Sequence, residues 1–149
     1  MDRKVVIIPT YNEKENIEAI VRKVFSLEGE YNVLIIDDGS PDGTAAIVKK
    51  VQTEFPERLF LIERSGKLGL GTAYLTGFKW ALENGYDYIF EMDADFSHNP
   101  EDLPRLYKSP KIPPLILDVP SLRFTNMIGT SASSNPSFQA VYFISIWNP

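Results

Sequence analysis

The sequence predicts an α/β fold, a doubly wound parallel sheet flanked by helices. Three observations carry this. Short continuous apolar runs, rich in β-branched residues, alternate with segments of helical periodicity. The connections between them are short and punctuated by glycine, proline and aspartate. Several runs end in strongly polar strings, as expected of parallel strands whose carboxyl ends face a ligand crevice.

Lys4-Val5-Val6-Ile7-Ile8 reads as a first buried strand, ended by Pro9, which has no backbone N–H to donate. Ile17, Ile20, Val21, Val24 and Phe25 then recur at helical spacing, with Glu13, Glu15 and Glu18 toward the positive end of that helix. Gly29 closes it, and Val33 to Ile36 forms a second strand running into Asp37-Asp38-Gly39-Ser40-Pro41-Asp42-Gly43. Ile47, Val48, Val51 and Phe55 mark a second helix, closed by Pro56. Leu59 to Ile62 is a third strand, leading to the loop Gly66-Lys67-Leu68-Gly69-Leu70-Gly71. Tyr74, Leu75, Phe78 and Leu82 give a third helix with Asn84-Gly85 as its stop. Tyr88 to Met92 is a fourth strand, ending at Asp93-Ala94-Asp95. The alternation βαβαβαβ brings three polar strand ends to one crevice.

Composition narrows the function. The 149 residues are 44% hydrophobic and 23% charged, an ordinary globular balance with room for a core. The absence of cysteine excludes a disulfide scaffold, a zinc–thiolate site and a thiol nucleophile. A net charge of −5 argues against nucleic acid as a partner. The first residues lack a signal-peptide pattern, and no run approaches the roughly 20 apolar residues of a membrane span.

In the crevice, Asp93-Ala94-Asp95 sets two carboxylates two residues apart just past a strand. Such hard oxygen ligands suit Mg²⁺ or Mn²⁺ beside a diphosphate; a solvated turn with Asp95 as a cap is the alternative. Adjacent Asp37 and Asp38 point different ways, so one can serve a ligand while the other bonds the following turn. A phosphoacceptor pair of the receiver type belongs after the first strand, which sets that reading aside. Tyr11 and Glu13 could hold a nucleobase by stacking and by accepting N–H bonds; Glu13 could equally serve only the helix N-terminus. The glycine loop could bring backbone amides and a cation near phosphate. It lacks the Gly-Lys-Ser/Thr ending of a Walker loop, and Tyr74 stands where a dinucleotide fingerprint needs Gly or Ala. His98, the only histidine, has no triad partners and reads as structural.

Four strings together resemble the family 2 glycosyltransferases: Pro9–Glu13, Asp37–Thr44, Lys67–Tyr74 and Met92–His98. The second and third are similar to the polyprenol-phosphate (dolichol-phosphate) mannosyltransferase branch of that family, and the likeness covers about residues 4–107. The resemblance implies a GT-A nucleotide-sugar domain with a Rossmann-like sheet. It implies transfer of mannose from GDP-mannose to dolichyl or polyprenyl phosphate, with inversion to a β-mannosyl phosphate. Pro9, Tyr11, Glu13, Ile36 and Asp38 would line the guanosine site. Asp93, Ala94, Asp95 and Ser97 would surround the diphosphate, with Asp93 and Asp95 as catalytic and metal residues for Mg²⁺ or Mn²⁺. It further implies a peripheral place on the cytoplasmic face of a membrane, endoplasmic reticulum or prokaryotic plasma membrane, with small membrane subunits as partners. An acceptor phosphate is already ionised at neutral pH, so the lack of a Ser/His/Asp set is no objection.

After Tyr107 the character of the chain changes. Residues 1–107 hold 12 basic and 19 acidic residues; residues 108–149 hold only Lys108, Lys111, Asp118 and Arg123, with six of the eleven prolines. The family's Gly-Ser/Thr-Arg-Tyr motif is not readable there, and Leu122-Arg123-Phe124-Thr125 is no match. The expectation is therefore an N-terminal part of a catalytic domain at 1–107 and an atypical tail at 108–149, from a shifted reading frame or mis-splice. The other two frames of the gene after codon 107 should encode that motif; its absence from both would sink the idea. A genuine tail packing as a minor subdomain is the competing reading. An incomplete sheet would leave an edge exposed, and Val141 to Trp147 is apolar enough to lie on a membrane or on the sheet. Two further functions compete: a nucleotide-sugar-binding module without transfer activity, and a relative using another donor such as UDP-glucose.

Overall fold

The computed structural model describes residues 1–108 and the backbone of three later strands. Each apolar run of the first part forms a strand, and each helical period a helix. In chain order these are β1 (Lys4–Thr10), α1 (Ile17–Phe25), β2 (Tyr31–Asp37), α2 (Thr44–Gln52), β3 (Leu59–Glu63), α3 (Leu70–Glu83), β4 (Tyr88–Glu91) and α4 (Asp102–Tyr107). The later strands are β5 (Leu115–Asp118), β6 (Arg123–Thr125) and β7 (Phe138–Ser145).

The sheet runs β3-β2-β1-β4-β7-β5-β6, and β1 to β4 are parallel to one another. Alternate side chains of the central strands face opposite ways, so two cores form. On one face Val6, Ile8, Val33 and Ile35 pack with Ile17, Ile20, Val21 and Val24 of α1, Val48 and Val51 of α2, and Leu103 of α4. On the other, Val5, Ile7, Leu34 and Ile36 lie under Ala73 and Ala81 of α3. Burial on both faces is why these strands are continuously apolar.

Three details differ from the sequence reading. Pro9 does not end β1, which continues to Thr10 in register with Asp37. The Ile7 carbonyl accepts from Met92 N and the Thr10 carbonyl from Asp38 N, so alternation turns the Pro9 nitrogen toward β4. Pairing with β4 stops at Ile7↔Glu91, and no ladder bond is lost there. Helix α4 carries no readable helical period because its apolar stripe is short; Pro104 fits its first turn, where an N–H has no intrahelical acceptor. Finally, β4 pairs in parallel with β7 (Tyr88↔Tyr142 to Glu91↔Ser145), so its outer side is not an open edge. Pro110, Pro113, Pro114, Pro120, Ser131 to Ser134, Ile146 and Trp147 lie outside the described residues.

Helix α3 sits hard against β1. A Cβ on Gly77 would stand 2.7 Å from Ile7 Cγ2 and 2.9 Å from its Cδ1, so only glycine permits this approach. Gly77→Ala should therefore lower stability by about 1–3 kcal/mol through overpacking, despite alanine's better helix propensity. Urea denaturation measures it; an unchanged or raised midpoint would contradict this close packing.

Candidate functional site

The strand order reverses between β1 and β4, and at the carboxyl end of that junction lies a cleft of about 270 Å³. Among the described residues its walls come from Pro9 and Thr10 at the end of β1, Tyr11 and Glu13 after it, and Asp38 after β2. Lys67, Gly69, Leu70 and Ala73 come from the glycine loop and α3, and Asp93, Ala94 and Asp95 follow β4. Two of the expected site residues lie elsewhere. Ile36 is fully buried in the core beneath α3, and Ser97 is an exposed loop residue outside the lining.

The aspartate pair divides its work. Asp37, 1% exposed, accepts from Thr10 Oγ1 (2.8 Å), Ser40 Oγ (2.6 Å) and Ser40 N (2.9 Å), and so folds the turn after β2. Asp38 faces the cleft but is held by Arg64: Nε to Oδ1 at 2.6 Å and Nη2 to Oδ2 at 2.8 Å. Leu68 N adds a bond to Oδ2 at 3.1 Å. Both side chains of this ion pair are almost fully buried. The same guanidinium reaches Thr72 Oγ1 (2.8 Å) and the Gly69 carbonyl (3.1 Å), so it ties the glycine loop and the start of α3 to Asp38.

The loop that carries Tyr11 and Glu13 is held by the one after β2. Three consecutive N–H groups donate to three alternate side chains: Asn12 to Ser40 Oγ (2.9 Å), Glu13 to Thr44 Oγ1 (3.0 Å) and Lys14 to Asp42 Oδ2 (3.1 Å). Asn12 adopts a left-handed φ of 59° to make this possible, a conformation asparagine tolerates. Asp42 also accepts from Thr44 N (2.9 Å) and Thr44 Oγ1 (2.6 Å). Desolvation opposes its ionisation, but the bonds from the Thr44 hydroxyl and the Lys14 and Thr44 N–H groups outweigh it and hold its carboxyl below the usual range. Glu13 stands before α1, whose first residue is Ile17, and its side chain accepts from Asn16 Nδ2 (3.2 Å) rather than from the helix N-terminus. The Lys67 ammonium lies 4.8 Å from the centre of the Tyr11 ring.

On the opposite wall, Tyr74 OH donates to Asp93 Oδ1 at 3.2 Å. Burial pushes the Tyr74 phenol well above its usual range, and the charges of Asp93 and Glu91 add to this, so it stays a donor. Ser97 N donates to Asp95 Oδ1 at 2.9 Å; bonds from the Ser97 hydroxyl and N–H hold the Asp95 carboxyl below its usual range. His98 keeps Nδ1 3.5 Å from Asp93 N and 3.9 Å from Asp93 Oδ2, a weak brace.

Among the described residues no third His, Asp or Glu joins Asp93 and Asp95 in a ligand cluster. Two hard carboxylates on an open cleft fit a Mg²⁺- or Mn²⁺-sized ion that keeps waters and shares substrate phosphate oxygens, rather than a closed protein cage. The residues that the sequence did not single out are Arg64, Thr10, Ser40, Thr44 and Tyr74. Their one advance signal was their place in the Pro9–Glu13, Asp37–Thr44 and Lys67–Tyr74 strings or, for Arg64, shortly before the last of these.

Residues 5–140 match the description "Glycosyl transferase family 2". Polyprenol monophosphomannose synthase of Mycolicibacterium smegmatis is 50% identical over 104 residues, which are 70% of this chain and 39% of that protein. Undecaprenyl-phosphate mannosyltransferase of Micrococcus luteus is 44% identical over 115 residues, 77% of this chain and 47% of that one. The chain thus spans less than half the length of these curated relatives. Among solved structures, mannosyltransferase PcManGT from Pyrobaculum calidifontis, in complex with GDP-Man and Mn²⁺, is similar with a TM-score of 0.65 and 26% identity. That likeness covers 75% of this chain and 34% of the other.

Removing Arg64 would leave Asp38 buried and uncompensated. Arg64→Met should destabilise by about 3–5 kcal/mol, whereas Arg64→Met with Asp38→Leu should recover much of the loss. Equal denaturation midpoints for the single and double variants would refute the coupling. For Asp42 the sign is set by its lowered folded value: its contribution is present above the unfolded value of about 3.9 and is lost as pH falls through the folded one. Thr44→Val should bring the Asp42 carboxyl toward the ordinary value, read by NMR titration, and move acid unfolding to higher pH. An unmoved Asp42 titration would rule this account out.

Proposed function

Since the chain belongs to glycosyl transferase family 2, we propose that its cleft binds a nucleoside-diphosphate sugar, GDP-mannose, as the donor for mannose transfer to a polyprenyl phosphate such as dolichyl or undecaprenyl phosphate. The observation that carries this reading is the meeting of two unlike walls at one strand-order reversal: Tyr11, Glu13 and Asp38 on one side, Asp93 and Asp95 on the other. The names of the two curated relatives and of the GDP-Man-bound neighbour support the choice of sugar and acceptor.

In this reading the nucleobase rests against Tyr11, with the Glu13 and Asp38 carboxylates accepting its N–H groups. Asp38 can do so only where Arg64 leaves a lone pair free, which orients the base. Asp93 and Asp95 hold Mg²⁺ or Mn²⁺. When bound, that ion neutralises charge on the departing diphosphate. An acceptor phosphate oxygen forms a bond to the anomeric carbon as the bond from that carbon to the GDP β-phosphate oxygen breaks, inverting the centre. No proton needs to be removed from a phosphate already ionised, so the chain's task is positioning and charge complementarity. The acceptor lipid places the reaction at a membrane surface. No helix among the described residues is long and apolar enough to cross a membrane.

Calorimetry of this chain with GDP, with and without Mn²⁺, tests the donor half. Mn²⁺-dependent GDP binding, lost in Asp95→Asn, is the expected result; metal-independent binding in both would overturn the role given to Asp95. Competition of UDP-glucose with GDP-mannose tests the sugar donor, and mannose transfer to a short polyprenyl phosphate tests turnover. Binding without transfer would favour a nucleotide-sugar-binding module.

A further inference from the structure

The donor reading leaves most of the string Lys67–Tyr74 without a task. Lys67 lies over Tyr11, and Thr72 is bonded to Arg64, but Tyr74 reaches the other wall. We propose that Tyr74 is a positioning residue for Asp93, holding one carboxylate oxygen so that the other is presented to a divalent cation in the cleft. This inference rests on the metal-dependent donor reading above.

The geometry of the helix makes Tyr74 suited to that task. Its ring is half-buried and stacks on Phe78 at 6.2 Å, with 23° between the planes. One turn along, Gly77 presses α3 onto Ile7 of β1, so the height of the phenol above the sheet is set by backbone packing rather than by a loop. Its hydroxyl meets Asp93 Oδ1 at 3.2 Å, and a carboxylate can only accept, so the phenol is the donor. The other oxygen, Oδ2, has His98 Nδ1 at 3.9 Å, beyond hydrogen-bond distance, and is the one available to a cation. Asp95 is oriented separately, by Ser97 N on its Oδ1. Carboxylates that bind metals are regularly fixed by such outer partners, because an unrestrained side chain loses rotamer entropy on coordination.

Tyr74→Phe keeps the ring, its stacking and the helix, and removes only the hydroxyl. Manganese binding is read by electron paramagnetic resonance in the presence of GDP, alongside calorimetry of GDP without metal. The expected result is an Mn²⁺ dissociation constant raised by about 10–100-fold, with metal-free GDP affinity unchanged. The double variant Tyr74→Phe/Asp93→Asn should bind Mn²⁺ no more weakly than Asp93→Asn alone, since Tyr74 acts through Asp93. Equal Mn²⁺ affinity in Tyr74→Phe and the unaltered chain would overturn the inference while leaving the donor reading intact. So would losses that add in the double variant, or a parallel fall in metal-free GDP affinity. GDP binding by the unaltered chain with no Mn²⁺ dependence would overturn both.

Discussion

The reversal of strand order between β1 and β4 is the constraint on which the site depends. β2 and β3 are laid down on one side of β1, and β4 on the other. The chain leaves the carboxyl end of β1 through α1 toward β2, while α3, on the opposite face, carries it from β3 back across to β4, so the cleft lies at the carboxyl ends where the order reverses. β1 also runs farther than its pairing with β4, through Pro9 and Thr10. A proline is tolerated at that point because its missing N–H faces the side where the ladder has stopped. The cleft is thus a place where backbone pairing ends while the chain continues, and polar side chains take over the hydrogen bonding.

That handover explains the spacing of the acidic string after β2. Loop N–H groups with no sheet partner must find acceptors. Asn12, Glu13 and Lys14 find theirs in Ser40, Thr44 and Asp42, a row of alternate residues on the neighbouring loop. Asp37 closes the turn that carries this row, and Asp38 is left to face the cleft. A buried carboxylate there is tolerable only with a charge partner, which Arg64 supplies bidentately. The cleft-facing residues are a minority; most of the string holds them in place.

The strands, the three long helices and the crevice were legible because burial imposes a period on apolar residues, and a period survives in a single sequence. The pairing of polar side chains imposes none. Nothing in Arg64 or Tyr74 taken alone says which aspartate it will meet, since those meetings cross between elements far apart in the chain. Pro9 misled for a related reason: its meaning depends on where a neighbouring strand ends. Helix α4 hid because one buried leucine, Leu103, is too little for a stripe. Ile36 and Ser97, assigned by resemblance alone, sit in the core and on the surface respectively.

The charge balance of the cleft argues for how a donor could be held there. Asp38 is matched by Arg64, but among the described residues Glu13, Asp93 and Asp95 face a single lining cation, Lys67. A diphosphate approaching these carboxylates meets like charge in a partly desolvated space, where Coulomb repulsion is weakly screened. In the proposed donor complex a divalent cation held by Asp93 and Asp95 would reverse that sign at their wall without altering the opposite one. Meanwhile the ammonium of Lys67 already occupies one face of Tyr11. A base stacking on that ring must share the face with the lysine or displace it toward the phosphates. Under the proposed donor reading, displacement of the lysine would link recognition of the base to neutralisation of the diphosphate, and the acidic wall would favour a metal-bound nucleoside diphosphate over a metal-free one.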